Sequence, residues 1–265
     1  MASFYAKNII FDGISSDTFG LINAAFETGK QDSSAGSEST ILQKYIPRRS
    51  KPYYYGRMQN IPLPINLTLF SENPIDGKSR SKISAWLLGR MDYLPLNVVQ
   101  SDLDNVTFYV IFSKAENVYA GNLQRSIKVS GISNAPWGFE TPNPLQKSYT
   151  GSAIISESFT FFNTSDDSDY NRPSFSFTTS GIGNSFSITN STDNGRIFSF
   201  TSIDANETIT VDNDKGIISS STGLRRMTNF NKNFFRLVPG RNDLILAGGI
   251  TNFTMASIFA RKVGS

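Results

Sequence analysis

The residues able to do chemistry in this sequence are its carboxylates. There is no histidine and no cysteine. A histidine-based triad, a thiolate nucleophile, a disulfide framework and a Cys/His zinc site are therefore excluded. Glycosidic hydrolysis needs two carboxyl groups on either side of the scissile bond. Most of the 22 acidic residues fall in turn clusters, such as Asp166, Asp167 and Asp169, or Asp212 and Asp214. Glu157 lies in a strand-like pattern, and Glu207 is the other glutamate beyond residue 141. No spacing pairs them. The run Asp212-Asn213-Asp214-Lys215-Gly216 opens like a calcium loop but lacks the third oxygen ligand and the distal Glu, and reads as a β-turn. The glycine-bearing stretch at 181–185 lacks the lysine and following helix of a phosphate loop. The sequence thus assigns no catalytic, cofactor-binding or metal-ligating residue, and reads as a protein that is not an enzyme and needs no cofactor.

Binding chemistry is equally sparse. Lys44, Arg48, Arg49 and Lys51 stand among Tyr45 and Tyr53, a mixture that can hold nucleic acid. Residues 1–140 carry 14 basic and 12 acidic residues, and 141–265 carry 11 and 10. Neither half has the one-sided field of a nucleic-acid binder. The string reads as a solvated loop or a subunit contact, with no sequence-specific nucleic-acid binding. Six Asn-X-Ser/Thr sequons, Asn66 and Asn252 among them, follow from a chain with 79 Ser, Thr and Asn residues. The start lacks a basic flank with an apolar run, and no stretch approaches eighteen apolar residues. The expectation is a soluble protein without membrane insertion.

The elements that must position these residues are mostly strands. The chain has 33 aromatics and abundant turn formers across 265 residues. Strands are expected at Asn8–Asp12 and Phe19–Phe26, with a loop or projecting hairpin tip at 29–40. Ile61, Leu63, Ile65, Leu67 and Leu69 alternate with polar residues and prolines, the period of a half-buried strand. Pro62 and Pro64 place its start at a sheet edge or bulge. Tyr53–Tyr55 are expected to form its partner strand. Ile83, Trp86 and Leu87 share one face of a helix of about ten residues, capped by Ser79 or Ser81 and stopped at Gly89. Further strands follow at Tyr93–Val99, Val106–Phe112 and Arg125–Val129, the second of them central.

Three prolines in 133–148 interrupt the periodicity and predict a junction near residue 142, with Trp137 and Phe139 packed there. Beyond it, nine short strands are expected at regular spacing: 154–162, 174–178, 185–189, 196–201, 208–211, 216–220, 234–238, 242–247 and 252–259. Without a helix they read as an antiparallel β-sandwich. Phe175, Phe177, Phe198, Phe200, Phe234 and Phe235 are its expected core. The reading is mainly β: residues 1–141 form a β-rich domain with one short helix, and 142–265 form the sandwich.

Four stretches carry a resemblance: IIFDGISSDTFGLI at 9–22, KPYYYGRMQNIPLPINLTLF at 51–70, ISAWLLG at 83–89 and the block from Thr210 to Gly248 with its Pro239-Gly240-Arg241-Asn242 turn. In this order they resemble the distal tail proteins of long, non-contractile-tailed phages. Residues 29–40 and 141–170 have no obvious counterpart. The resemblance implies a homohexameric ring made by the N-terminal domain at the virion's tail tip. It implies a galectin-like C-terminal sandwich pointing outward and a lumen through which DNA passes. Implied partners are the major tail tube protein, the tail-tip protein and, in some phages, receptor-binding proteins. It names no interface residue. Galectins hold sugar with a His, Asn and Arg set and a stacked Trp, whereas this chain has no histidine and both tryptophans precede residue 140. The other class of reading is a carbohydrate- or receptor-binding module that touches the host surface directly.

Overall fold

A computed structural model describes residues 7–23, 39–59, 62–101, 103, 105–150, 154–181 and 185–262. The chain forms two compact units, residues 1–139 with 261–265, and residues 140–260. It leaves the first at 139 and rejoins it at 261.

The first unit is built on one antiparallel sheet. Its elements are β1 (Ile9–Phe11), β2 (Ile14–Ser15), β3 (Leu21–Asn23), a separate hairpin of β4 (Ser39–Lys44) and β5 (Tyr53–Gln59), β6 (Pro64–Ser71), helix α1 (Gly77–Leu88), β7 (Leu94–Val98), β8 (Val106–Ala120), β9 (Leu123–Ser133) and β10 (Gly138–Glu140). The strand order is β2-β1-β7-β8-β9-β6-β3, so β8 is central as its apolar run predicts. β10 adds on β8, and the chain's last strand pairs with β10.

In β6, Ile65, Leu67 and Leu69 are buried while Pro64, Asn66 and Thr68 face outward to varying degrees. β9 pairs along β6 from Pro64 to Phe70, but β3 pairs with only its last residues, Leu69–Ser71. The proline-bearing start of β6 therefore has one open side among the described residues, as a strand lacking N–H donors requires. Ile61 lies outside the described residues.

Helix α1 covers the buried face with Ile83, Trp86 and Leu87. Trp86 Nε1 donates to the Phe11 carbonyl at 3.0 Å, and its ring stacks on Phe19 at 4.9 Å. The buried indole thus keeps a partner for its one donor.

Several expectations for this unit are corrected. The helix cap is Asp76, not Ser79 or Ser81, because the helix begins earlier: the Asp76 carboxylate accepts from Ser79 N at 2.7 Å. Phe19 ends a one-turn 3-10 helix (Ser16–Phe19) rather than opening a strand. Gly20, at φ 62°, supplies the left-handed exit, and β3 follows. Tyr53 and Tyr54 pair with Lys44 and Gln43 of β4, not with β6, and Tyr55 falls at a bulge between them and Gly56, because the connection after Lys44 folds β5 back on its predecessor. Residues 29–38 of the expected loop lie outside the described residues, while Ser39 and Thr40 already belong to β4. The stretch 133–148, expected to lack strand periodicity, contains β10 and a further strand. Phe139 rests on Tyr109 at 6.0 Å, and Lys262 lies over the Trp137 ring.

The second unit comprises β11 (Leu145–Ser148), β12 (Ile155–Asn163), β13 (Ser174–Thr179), β14 (Phe186–Asn190), β15 (Arg196–Phe200), β16 (Thr208–Asp212), β17 (Ile217–Ser220), β18 (Gly240–Gly248) and β19 (Ile250–Ala256), before β20 (Phe259–Arg261). They make two antiparallel sheets, β11-β19-β13-β16-β17 and β12-β18-β14-β15. Phe175 and Phe177 from one sheet meet Phe186, Phe198 and Phe200 from the other, all at most 2% exposed. The rings of Phe177 and Phe186 stack at 3.8 Å. This is a β-sandwich closed by aromatic packing.

Residues 234–238 are not a strand. Their backbone groups are met by side chains instead: Phe235 N donates to Asn213 Oδ1, and the Arg236 carbonyl accepts from Asn190 Nδ2. Only Leu237 makes a bridge, to Asn171. The segment still delivers Phe235 and Leu237 to the core. The turn into β18 is clamped by Asn242, fully buried, which accepts from Val238 N and donates to the Val238 and Gly240 carbonyls.

Candidate functional site

Among the carboxylates singled out by sequence, those of Glu157, Asp167, Asp169, Glu207 and Asp212 each accept a local hydrogen bond. Glu157 on β12 meets Lys147 Nζ and Tyr149 Oη on the segment around β11, each at 2.5 Å. The hydrogen bond from Lys147, then that from Tyr149, holds the Glu157 carboxyl below the usual range. Burial, with the same hydrogen bond, pushes the Tyr149 phenol far up. Asp212 accepts from the backbone of Asp214 and Lys215, closing the β16–β17 turn. Asn213, read with it as part of a calcium-like run, bridges the Pro173 carbonyl and Phe235 N. Asp166, Asp167 and Asp169 lie in the bend before β13, and Asp166 N donates to the Ala260 carbonyl.

Glu207 is the one fully buried carboxylate of this set, with its side chain 0% exposed. It receives the Arg226 guanidinium through two bonds, one of them 2.8 Å from Nε, and accepts from Ser220 Oγ. Arg226 also reaches Asp204 at 2.6 Å. Burial pushes the Glu207 carboxyl up, but the bonds from Arg226, Ser220 and the Asp204 backbone outweigh it and hold the group ionised. A carboxylate fixed in this way neither donates nor takes a proton near neutral pH. Neither it nor Glu157 is free to act as a general acid.

The basic-aromatic string forms the tip of the β4–β5 hairpin. Arg49 lies over the Tyr53 ring at 4.0 Å. The hairpin is a two-stranded sheet of its own. It exposes Ile41, Leu42, Tyr45, Tyr54, Tyr55 and Met58, with Tyr54 and Tyr55 66% and 65% exposed. Within residues 39–59 there are five basic residues and no acidic one. An isolated hairpin is marginal in water, and an apolar exposure of this kind marks an interaction surface.

Sequence reasoning misses one arrangement. Asp193, Asn194, Arg196, Ile197, Asn233 and Arg236 line an open cleft of 430 Å³ beside the β14–β15 turn. Its residues lie about 40 apart in sequence with no shared motif. The one local cue is the Asp193-Asn194-Gly195 turn itself.

Comparison with known proteins places the chain. Residues 4–135 match the family described as the phage tail protein N-terminal domain, and residues 137–255 match that described as the phage tail C-terminal domain. The chain belongs to these phage tail proteins. Among solved structures, it is similar to the Dit protein of phage SPP1, described as a paradigm of the hub adsorption apparatus in phages infecting Gram-positive hosts. That likeness covers 95% of this chain and 98% of the other at 12% identity, with a TM-score of 0.69. The fold is that of a distal tail protein. Comparison with curated proteins gave no match.

Proposed function

We propose that this protein is a structural hub of a long, non-contractile phage tail. Six copies form a ring at the tail tip through the first unit, residues 1–139 with 261–265. The ring joins the major tail tube protein to the tail-tip protein and the adhesion apparatus, receptor-binding proteins included, and DNA passes through its lumen. The second unit, residues 140–260, is a galectin-like sandwich directed outward. The protein acts without catalysis and without a cofactor.

The observation that carries this reading is the β4–β5 hairpin. It is a separate two-stranded sheet with five basic and no acidic residues in 39–59 and apolar residues exposed on both strands. The open side of the β6 start offers a second unsatisfied edge. A closed ring of identical heterologous contacts gives every such surface a partner. The Dit likeness supports the same reading at the level of fold.

Light scattering after size exclusion, with negative-stain electron microscopy, tests it. Six-fold rings are expected for the protein alone or mixed with the tail tube protein. A strict monomer under both conditions would overturn the hub reading.

A further inference from the structure

We infer that the cleft beside the β14–β15 turn is a binding site for a singly anionic, hydroxyl-rich ligand: a sugar or polyol unit bearing a carboxylate or a phosphodiester. This goes beyond the hub reading and does not rest on ring formation.

The cleft is built around two arginines that are already held in place. Asp193, with its side chain only 5% exposed, takes Arg236 side-on, Nε at 2.8 Å and Nη2 at 3.1 Å. The other face of that guanidinium lies on the Tyr170 ring, 3.7 Å from its centre. Arg196 is anchored through Nε on the Phe234 carbonyl at 3.0 Å. Each guanidinium offers donors in a planar fork. Nη1 of Arg236 and both Nη atoms of Arg196 have no protein acceptor among the described residues.

The charge balance sets the ligand's sign. Arg236 is matched by Asp193, with Asp169 close enough to add to its field. Arg196 has no carboxylate partner among the described residues. The Arg196 guanidinium therefore carries a charge that no ion-pair contact offsets among the described residues, and its planar Nη donors suit a carboxylate or phosphate.

The rest of the lining sets the ligand's body. Asn194 and Asn233 offer exposed amides able to donate to and accept from hydroxyls. Ile197, 46% exposed, supplies one apolar contact of the kind a sugar's C–H face uses. Asn194 at φ 52° and Gly195 at φ 69° form a turn closed by Arg196 N donating to the Asp193 carbonyl, the left-handed pair that an Asn-Gly sequence favours, so the turn sets Asn194 and Arg196 beside the cleft at little backbone cost.

The test is titration calorimetry on the full chain with three probes: trigalacturonate, a glycerol-phosphate trimer and neutral maltotriose. Saturable binding is expected for at least one anionic probe and not for maltotriose. Which anionic probe binds identifies the charged group. Arg196→Gln should weaken that binding about tenfold or more, since it removes a charge-assisted contact. Asn233→Asp alters an exposed side chain, leaves packing intact and sets a negative charge in the cleft, so it should weaken binding with an unchanged melting temperature. Binding of neither anionic probe, equal binding of maltotriose, or an affinity unmoved by both variants would overturn the assignment.

Discussion

Arg226 and Glu207 form an ion pair closed off from solvent, with the guanidinium seated on the carboxylate through two of its nitrogens and each side chain at most 9% exposed. Arg226 comes from the long connection between β17 and β18, which has few ladder bonds of its own. The pair fixes that connection to the start of β16. Asp204, 62% exposed, adds to the pair from the solvent side and contributes little.

Removing one partner leaves a buried charge alone, which costs about 3–5 kcal/mol. Arg226→Met is expected to lose stability on that scale in chemical denaturation. Adding Glu207→Gln to it should restore a substantial part, because the orphaned charge is then gone. If Arg226→Met alone melts like the parent, the pair does not hold the connection.

The same carboxyl predicts acid behaviour. Glu207 titrates lower in the folded chain than the ordinary 4.5. Its contribution is therefore present above about pH 4.5 and is lost as pH falls through the depressed folded value. Denaturation midpoints measured from pH 7 to pH 3 should drop in this window. Glu207→Gln should start from a lower stability at pH 7 and show a flatter acid limb. A parallel acid limb in the variant would remove Glu207 as its source.

Tyr54 and Tyr55 are exposed on the detached hairpin, so changing them should not disturb the fold. Tyr54→Ser with Tyr55→Ser is expected to shift stability by about 0.5 kcal/mol or less and to abolish ring formation in light scattering. Rings that persist at unchanged protein concentration would move the subunit contact elsewhere.

Residues 140–260, expressed alone, should fold with a cooperative melt and a β-type circular dichroism spectrum. The fragment must start before Leu145, because β11 pairs with β19 from Leu145 to Ser148. A truncation at residue 150 removes that strand and should be less stable. An unfolded 140–260 fragment would mean that the sandwich does not stand as a unit.

The sandwich is not expected to bind β-galactosides. Phe175, Phe177, Phe198, Phe200 and Phe235 are core residues at most 2% exposed, and Phe162 on β12, though 60% exposed, has no histidine beside it to fix a sugar's edge, since the chain has none. A glycan array with the full chain measures this. Sub-millimolar galactoside binding would favour direct host recognition over the purely structural role.

Much of this fold is legible where burial imposes a simple period. The alternation from Leu63 to Leu69 and the stacked phenylalanines of β13, β14 and β15 follow directly from one buried face per strand. What does not read from sequence is structure set by distant side chains. Residues 234–238 look like a strand because Phe235 and Leu237 alternate, yet Asn213 and Asn190 meet their backbone groups in place of a neighbouring strand. Asp76 does not stand out as a cap because the two serines nearer the apolar stripe are equally good candidates by type. The partner of β5 is hidden because three tyrosines carry no facing preference. The cleft is invisible in sequence because Arg196 and Arg236 become neighbours only once the β14–β15 turn meets the 233–236 segment.

The first unit takes in residues 1–139 and 261–265, so the second is inserted within it. During synthesis, the stretch that completes the first unit leaves the ribosome after the whole sandwich. The domain encoded second can therefore finish folding before the domain encoded first. The exit and return points also lie on paired strands, β10 and β20. A loop bounded by two adjacent strands is a cassette: its contents can be lengthened, decorated or replaced while the sheet that holds both ends keeps its register. Diversity in the inserted unit can thus accumulate without altering the sheet of the unit that holds it.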